Sequence, residues 1–105
     1  MVIYSVEIFI AAAIEAEWLA WMQSVHVPDV IGTGCFSECH IYRIVEPPAG
    51  ERGYVLRYDC SSLAEYERYR ANFAAALQEE HAARFGGRFR GSRQVFEEVG
   101  SASRH

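Results

Sequence analysis

Every second residue near the N-terminus is hydrophobic, at positions Val2, Tyr4, Val6, Ile8 and Ile10. A period of two is typical of a β-strand that turns one apolar face toward a core. The positions in between mix the apolar Ile3 and Phe9 with the polar Ser5 and Glu7. The pattern predicts a strand whose second face is only partly suited to water.

A helical period follows this first strand, with apolar residues at Ile14, Trp18, Trp21, Met22 and Val25. This spacing predicts an amphipathic helix. Pro28 can open a further short turn but cannot continue the hydrogen-bond ladder of this helix. The glycines of Gly32-Thr33-Gly34 then allow the chain to reverse direction.

The rest of the chain is predicted to form a hairpin of two strands, then a second helix and a last strand. Residues 35–46 alternate, a Pro- and Gly-containing loop occupies 46–53, and residues 54–59 form a second alternating run. Ser62 and Glu65 have capping-box spacing, and one long helix is predicted from there to Gly86-Gly87. A last strand is predicted from about residue 88 to residue 99.

The resulting order, βαββαβ, predicts an α+β, ferredoxin-like fold in which a four-stranded antiparallel sheet has two helices on one face. Residues 1–99 form a single domain in this prediction, and residues 100–105 form a flexible tail. The helix-free face would leave apolar side chains such as Ile3 and Phe9 uncovered, which soluble monomers usually avoid. We therefore expect a homodimer.

Residues 17–36 combine two tryptophans, a histidine at a helix end and a glycine-marked exit. On this run the chain resembles a bacterial family of proteins known as a domain of unknown function, within the superfamily of dimeric ferredoxin-like α+β barrels. The resemblance extends from residues 3–6 to residues 84–89. It implies a dimeric α+β barrel in which two sheets pack face to face, often with a small-molecule cavity.

Length and charge restrict the possible partners. The 105 residues carry a net charge of −4, with fourteen acidic residues against ten basic ones, all of them arginine. This balance disfavours nucleic acid and anionic lipid as partners. The apolar runs are shorter than the roughly 20 residues of a membrane helix, and no basic leader precedes them. We expect a cytoplasmic protein that does not associate with membranes.

The cysteines and histidines give no motif for a disulfide framework, a metal or a cofactor. Cys35 and Cys39 are interpreted as small core residues, and Cys60, just before the second helix, has the best position for a reactive thiol. The four histidines lack zinc-ligand spacing. No nucleophile elbow or phosphate loop is present, so no metal and no cofactor are predicted.

His26 is the first candidate for a ligand-binding residue, with Trp21 and Met22 one turn behind it. At a helix end, a histidine can cap free carbonyl groups, or it can act as a base or ligand contact because it titrates near neutral pH. Trp18 and Trp21 share the apolar stripe of the helix, which is typical of core aromatic residues. The hypothesis places His26 at the border of any cavity.

Strand residues supply the remaining candidates, which are His40, Tyr42, Arg57 and Arg93. His40 and Tyr42 share one face of the second strand, and the sequence leaves open whether that face or the one with Cys39 and Ile41 turns toward the helices. Arg93 is expected to pair with Glu7 or Glu38, or with a carboxylate ligand.

The leading functional hypothesis is a dimeric barrel protein that binds a small apolar or aromatic ligand. The alternative is a cofactor-independent monooxygenase-like enzyme, because the resembled superfamily includes such enzymes. Its haem-degrading members use an asparagine on the first strand, where this chain has Ser5 and Glu7. They also use a histidine on the second helix, and among their functional residues only this one has a counterpart in a comparable element here, His81. A remote alternative is an RNA-binding module, but residues 52–59 lack the stacking aromatics of its motif.

Overall fold

A four-stranded antiparallel sheet with strand order β2-β3-β1-β4 organises the structure, a computed structural model that describes residues 1–104. The strands are β1 (Val2–Ala11), β2 (Glu38–Arg43), β3 (Glu51–Cys60) and β4 (Phe89–Glu97). The two central strands, β1 and β3, are the longest and carry most of the buried strand residues. The predicted α+β, ferredoxin-like fold is confirmed.

The helices pack on one side of this sheet, which we call the helix-facing side. Their segments are α1 (Glu15–Trp21), a π-helical segment (Met22–His26), α2 (Val27–Gly32), α3 (Leu63–Asn72) and α4 (Ala74–Phe85). Buried residues of the helices and of β1 and β3 form one hydrophobic core. As predicted, Ser62 caps α3, since its side chain accepts a hydrogen bond from the backbone N–H of Glu65.

The prediction of one long helix after Ser62 is wrong at Phe73. This residue has φ of −128° and ψ of −32°, outside the helical region, so α3 ends before it and α4 begins after it. The departure lets the Phe73 ring pack against the core, where it is partly buried. Sequence periodicity did not reveal the break, because no glycine or proline marks it.

The opposite side of the sheet, which we call the open face, has no helix over it. It carries Ile3, Ser5, Glu7 and Phe9 of β1 and their cross-strand partners. On β2, Cys39 and Ile41 are partly buried, whereas Tyr42 is 48% exposed. The second strand therefore turns Cys39 and Ile41 toward the helices and His40 and Tyr42 toward the open face.

The chain after β4 has no regular secondary structure from residue 98 to residue 104. The last residue of the predicted tail, His105, lies outside the described residues. Within residues 1–104, every helix is too short or too polar to cross a membrane.

Candidate functional site

A cavity of about 90 Å³ lies between the sheet and the helices, and we call it the inner cavity. Its sheet wall consists of Tyr4, Val6, Ile8, Leu56 and Tyr58. Its helix wall consists of Met22, His26, Tyr69, Gln78 and His81. Phe89, Gly91, Ser92 and Arg93 of β4 complete it. Three of these β4 residues, Gly91, Ser92 and Arg93, are also exposed to solvent, so the cavity reaches solvent at the β4 edge.

Gly91 keeps that edge close to β1. A Cβ atom at this position would lie 3.0 Å from the carbonyl oxygen of Glu7, tighter than ordinary van der Waals contact. The strands therefore approach closely at the cavity wall, and a larger residue at position 91 would require one of them to shift.

The π-helical segment brings two helix-wall residues, Met22 and His26, to the cavity. The backbone N–H of Val27 donates to the carbonyl of Met22, five residues earlier, which is the hydrogen bond of a π-helix. Pro28 follows directly and has no N–H of its own to donate. The helix thus widens before the proline instead of ending, and such widened turns are frequent at functional sites.

His81 is held in one tautomer by a buried hydrogen bond. The indole Nε1–H of Trp18 donates to Nε2 of His81 at 3.0 Å. Because indole N–H can only donate, Nε2 of His81 must accept, and the proton of the neutral imidazole then resides on Nδ1. Burial lowers the pKa of His81 to about 4, and the charges of His26 and Arg93 contribute to the same shift. His81 is therefore a neutral hydrogen-bond donor at neutral pH.

His26 lies beside His81 but differs from it in its hydrogen bonds. The ring centroids of the two histidines are 5.8 Å apart, and Trp21 stacks on His26 at 5.5 Å. The Nδ1 atom of His26 is buried and has no hydrogen-bond partner within residues 1–104. Burial lowers the pKa of His26, while Asp29 raises it and Arg93 lowers it.

The capping role considered for His26 is wrong. The helical path continues from His26 into α2, and no side-chain cap hydrogen bond is present at this position. The imidazole lies instead at the cavity wall. A buried polar atom without a partner calls for an explanation, and a ligand atom or an ordered water would supply one.

Three tyrosine rings form part of the cavity wall. Tyr4 stacks on Tyr58 at 5.7 Å and lies 5.6 Å from Tyr69, and Phe36 packs against the same three rings. Burial is the main cause of the raised pKa of each of the three hydroxyl groups. The tyrosines therefore stay neutral at physiological pH and present ring faces and hydroxyl groups.

Arg93 lies on the helix-facing side, opposite Val6 in the β1–β4 register, and lines the cavity. Glu7 lies opposite Ser92 on the open face, and Glu38 is on the distant edge strand β2. The predicted ion pair of Arg93 with Glu7 or Glu38 is therefore wrong, because the sheet register separates these side chains. In the described part of the chain, no carboxylate lies within 4 Å of the Arg93 guanidinium.

The sequence-predicted candidates divide between the two sides of the sheet. Met22, His26 and Arg93 line the inner cavity, and Trp21 stacks behind His26. Three candidates, His40, Tyr42 and Arg57, lie instead on the open face, and all three are exposed.

One group on the open face has metal-ligand chemistry. Ligand atoms of Glu38, His40 and Asp59 lie within 4.8 Å of one another. Sequence spacing missed this group because β2 and β3 bring Asp59 beside the other two. The side chains of Glu38 and His40 are more than half exposed, so the group is also an ordinary set of surface polar residues.

The cysteines lie on the helix-facing side of the molecule, away from the open face. Cys35 and Cys60 are buried, and the Cys60 thiol donates to the carbonyl oxygens of Cys35 and Ser62 at 3.4 and 3.2 Å. Burial raises the pKa of Cys39 to about 11. The interpretation of Cys60 as a reactive thiol is not supported, because a buried thiol that donates to carbonyl groups is poorly accessible.

Sequence reasoning did not place His81 or Gln78 in the site. A signal for His81 was available, since Leu77, His81 and Phe85 recur at intervals of four on one helix face. A histidine within an apolar stripe is expected to be buried and therefore to have a partner. That partner is Trp18, 63 residues earlier, and local patterns do not reveal such pairs.

Solved structures with this fold include three informative examples. The cofactor-independent oxygenase SnoaB from Streptomyces nogalater, solved in a mutant form, is 14% identical, with 95% of each chain covered and a TM-score of 0.68. An EthD family protein from Bacillus halodurans C-125 is 13% identical, covering 94% of this chain and 100% of that chain with a TM-score of 0.65. A dimeric ferredoxin-like protein from an uncultured marine organism is 13% identical, covering 99% and 100% with a TM-score of 0.68.

These identities show a shared fold and no more. No curated protein matches the chain. One family model does match, over residues 1–99 and thus over every helix and strand of the structure. The chain belongs to the family described as Domain of unknown function (DUF4286).

Proposed function

We propose that this protein binds a small hydroxylated ring compound in the inner cavity and that His26 removes the proton of the hydroxyl group. One observation carries the proposal: His26 is a partly buried imidazole at the cavity wall whose Nδ1 atom is buried and has no partner among residues 1–104. Because burial lowers its pKa, the ring is in its basic form at neutral pH. A neutral imidazole beside a cavity is suited to general base catalysis.

The two histidines have complementary roles in this proposal. His81 accepts a hydrogen bond from Trp18 and therefore offers only a donor, its Nδ1–H, to a ligand. His26 is not committed in this way and can accept a proton. A donor and an acceptor on one wall would orient a hydroxyl group and stabilise the anion that forms.

The dimensions of the cavity favour a small ligand. Its volume of about 90 Å³ is below that of common ligand pockets, which favours a ligand whose enclosed part is no larger than a single ring. The remainder of the ligand would extend through the opening at the β4 edge. Ring faces of Tyr4 and Tyr58 would pack against an aromatic ligand.

A second candidate function is a cofactor-independent oxygenase, and the likeness in fold to such an enzyme, SnoaB, favours it. Deprotonation of an electron-rich ring compound would be its first step also. Oxygen consumption in the presence of a dihydroxylated ring compound would support this candidate. Stoichiometric binding without oxygen consumption would support binding and proton transfer alone.

We also propose that two copies of the chain pair through their open faces. Tyr42 and Phe96 on this face are each 48% exposed, and Glu7, Arg57 and Arg90 add charges of both signs. The marine relatives with this fold are described as dimeric. A symmetric pairing of the same patch would bury these side chains and match opposite charges.

Light scattering at micromolar concentration tests the pairing. The Phe96→Glu variant is expected to shift the protein toward a monomer, because two buried carboxylates would face each other or lack a partner. Val99→Glu is the matched control, since Val99 is 96% exposed and follows β4. A monomeric wild-type protein would contradict the pairing.

The base role of His26 can be tested with 4-nitrophenol, whose phenolate absorbs visible light. The wild-type protein is expected to bind this probe and to lower the pH at which the bound probe ionises. The His26→Gln variant keeps a polar side chain but no titrating ring, so its bound probe should ionise at a higher pH than the probe bound to the wild type. His40→Gln is the matched control on the open face. Equal ionisation of the bound probe in wild type and His26→Gln would refute the base role.

A further inference from the structure

Arg93 is the one charged residue at neutral pH among the described residues that line the inner cavity, and no Asp or Glu shares its walls. Five other arginines have carboxylate partners within 4.0 Å, namely Arg43, Arg52, Arg68, Arg70 and Arg90. Arg93 has no such partner in residues 1–104. A positive charge is therefore present at the cavity without a balancing negative charge.

The sheet register fixes where this charge lies. Arg93 pairs with Val6, and Gly91 pairs with Ile8, so both β4 residues belong to the helix-facing side. Gly91 and Arg93 both line the cavity and are exposed, so Arg93 lies where the cavity meets solvent. A group that projects from a ring inside the cavity toward solvent would meet this residue.

Neutral hydrogen-bond donors lie near the same end of the cavity. Tyr4 and Gln78 line it together with Arg93. Burial raises the pKa of Tyr4, although Arg93 opposes this effect, and the hydroxyl therefore keeps its proton. An anion beside Arg93 would find a hydroxyl and an amide that can donate to it, and no carboxylate that repels it.

We propose that the ligand of the inner cavity is an aromatic carboxylate, whose carboxylate binds Arg93 at the β4 edge while its ring packs against the wall formed by Tyr4 and Tyr58. One arginine balances one negative charge, and its planar guanidinium matches the two oxygens of a carboxylate. The inference rests on the proposed function because it names the substrate class of the same cavity. Combined with that function, it indicates a hydroxylated aromatic acid.

Binding of an anion would also change the environment of the histidines. The charge of Arg93 lowers the pKa of both His26 and His81. A bound carboxylate would offset this charge and make His26 a stronger base once the substrate is in place. The group that recognises the substrate would thus also prepare the proton transfer.

The test compares benzoate with benzamide, which has the same shape but no charge, by isothermal titration calorimetry. Wild-type protein is expected to bind benzoate at least about tenfold more tightly, because a hydrogen bond to a charged group contributes about 1.5–3 kcal/mol. The Arg93→Gln variant should lose about 10- to 100-fold in benzoate affinity and little in benzamide affinity. Arg93→Lys should recover part of the difference.

The matched control is Arg70→Gln, which removes the same charge from an exposed ion pair on α3. It should leave both affinities unchanged. Equal affinity of wild-type protein for benzoate and benzamide would overturn the inference, and this comparison needs no variant to fold. Benzoate has no hydroxyl group, so its selective binding stands even if the 4-nitrophenol experiment refutes the base role of His26.

Discussion

The two sides of the sheet use titratable residues in opposite ways. On the helix-facing side, His26, His81 and three tyrosines are held neutral, mainly by burial. On the open face, Glu7, Arg57 and Arg90 alternate with apolar residues and remain accessible to water. In a single copy of the chain, the same four strands therefore have one side that is shielded from water and neutral and one side that is hydrated and charged.

This difference shows what the helices contribute besides hydrophobic contact. They remove water from one side, and the loss of hydration shifts proton equilibria toward the neutral forms. Arg93 is the exception on that side, and it lies where the helix cover ends. The boundary between the two environments, at the β4 edge, is the place where a charged ligand group and a neutral base can both be available.

The largest expected effect comes from truncation of the helix-facing core. Trp18 is fully buried, packs 5.0 Å from Tyr54 and donates to His81. The Trp18→Ala variant should lose about 3–5 kcal/mol of unfolding free energy, because a large cavity replaces the indole. Urea denaturation measures this loss. Val45→Ala, at a residue that is 91% exposed, is the control and should unfold like the wild type.

An intermediate effect is expected from pH. His81 has a pKa of about 4 in the fold, against an ordinary value of 6.5. Between these values the unfolded chain binds a proton that the folded chain does not, so the unfolding free energy falls as the pH is lowered through this range. The loss should reach about 1–3 kcal/mol at the acid end.

Urea denaturation at pH values of about 7, 6 and 5 tests this linkage. The His81→Gln variant can still accept the hydrogen bond of Trp18 and should show a shallower decline than wild type. His40→Gln, on the open face, should keep the wild-type decline. Parallel pH profiles for wild type and His81→Gln would show that His81 is not held neutral by the fold.

The smallest effect is expected on the open face. The Arg90 guanidinium lies 4.3 Å from the ring centroid of Phe9 and 3.2 Å from a carboxylate oxygen of Glu51. In the Phe96→Glu background, where the open face is expected to stay unpaired, the Arg90→Ala change should lose no more than about 1 kcal/mol, since both interactions are then exposed to water. Added salt should reduce this loss. A loss comparable to that of Trp18→Ala would mean that the two faces contribute alike to stability.

The sequence predicted the sheet because alternation is a local property. The alternate residues from Val2 to Ile10 lie on one side of the sheet, as the pattern indicates. The hairpin and the Ser62 cap follow from turn and cap residues. The break at Phe73 and the π-helical segment were not predicted, since both depend on packing against distant residues. For the same reason, periodicity could not decide which side of β2 faces the helices.

The sequence grouped site residues correctly only where they lie on a single secondary-structure element. Met22 and His26 lie on a single helix, and the sequence already grouped them. The pairing of His81 with Trp18, and the position of Arg93 relative to Glu7, depend on tertiary register. A shift of one residue in a strand moves a side chain to the other face, so an ion pair inferred from sequence alone was open to this error.

The π-helical segment between Trp21 and Val27 also has a consequence for insertion and deletion in this chain. A π-turn contains one residue more than an α-turn, so deletion of Gln23 or Ser24 would allow a regular helix from Glu15 onward. The wide turn absorbs its extra residue locally, so this deletion would leave His26 oriented nearly as before relative to Trp18. Deletion of Leu19 or Ala20 in α1, where no wide turn absorbs the change, would rotate His26 relative to Trp18 by about 100°. Residues 22–26 are therefore the part of this helix that can lose one residue without moving the imidazole away from the cavity wall.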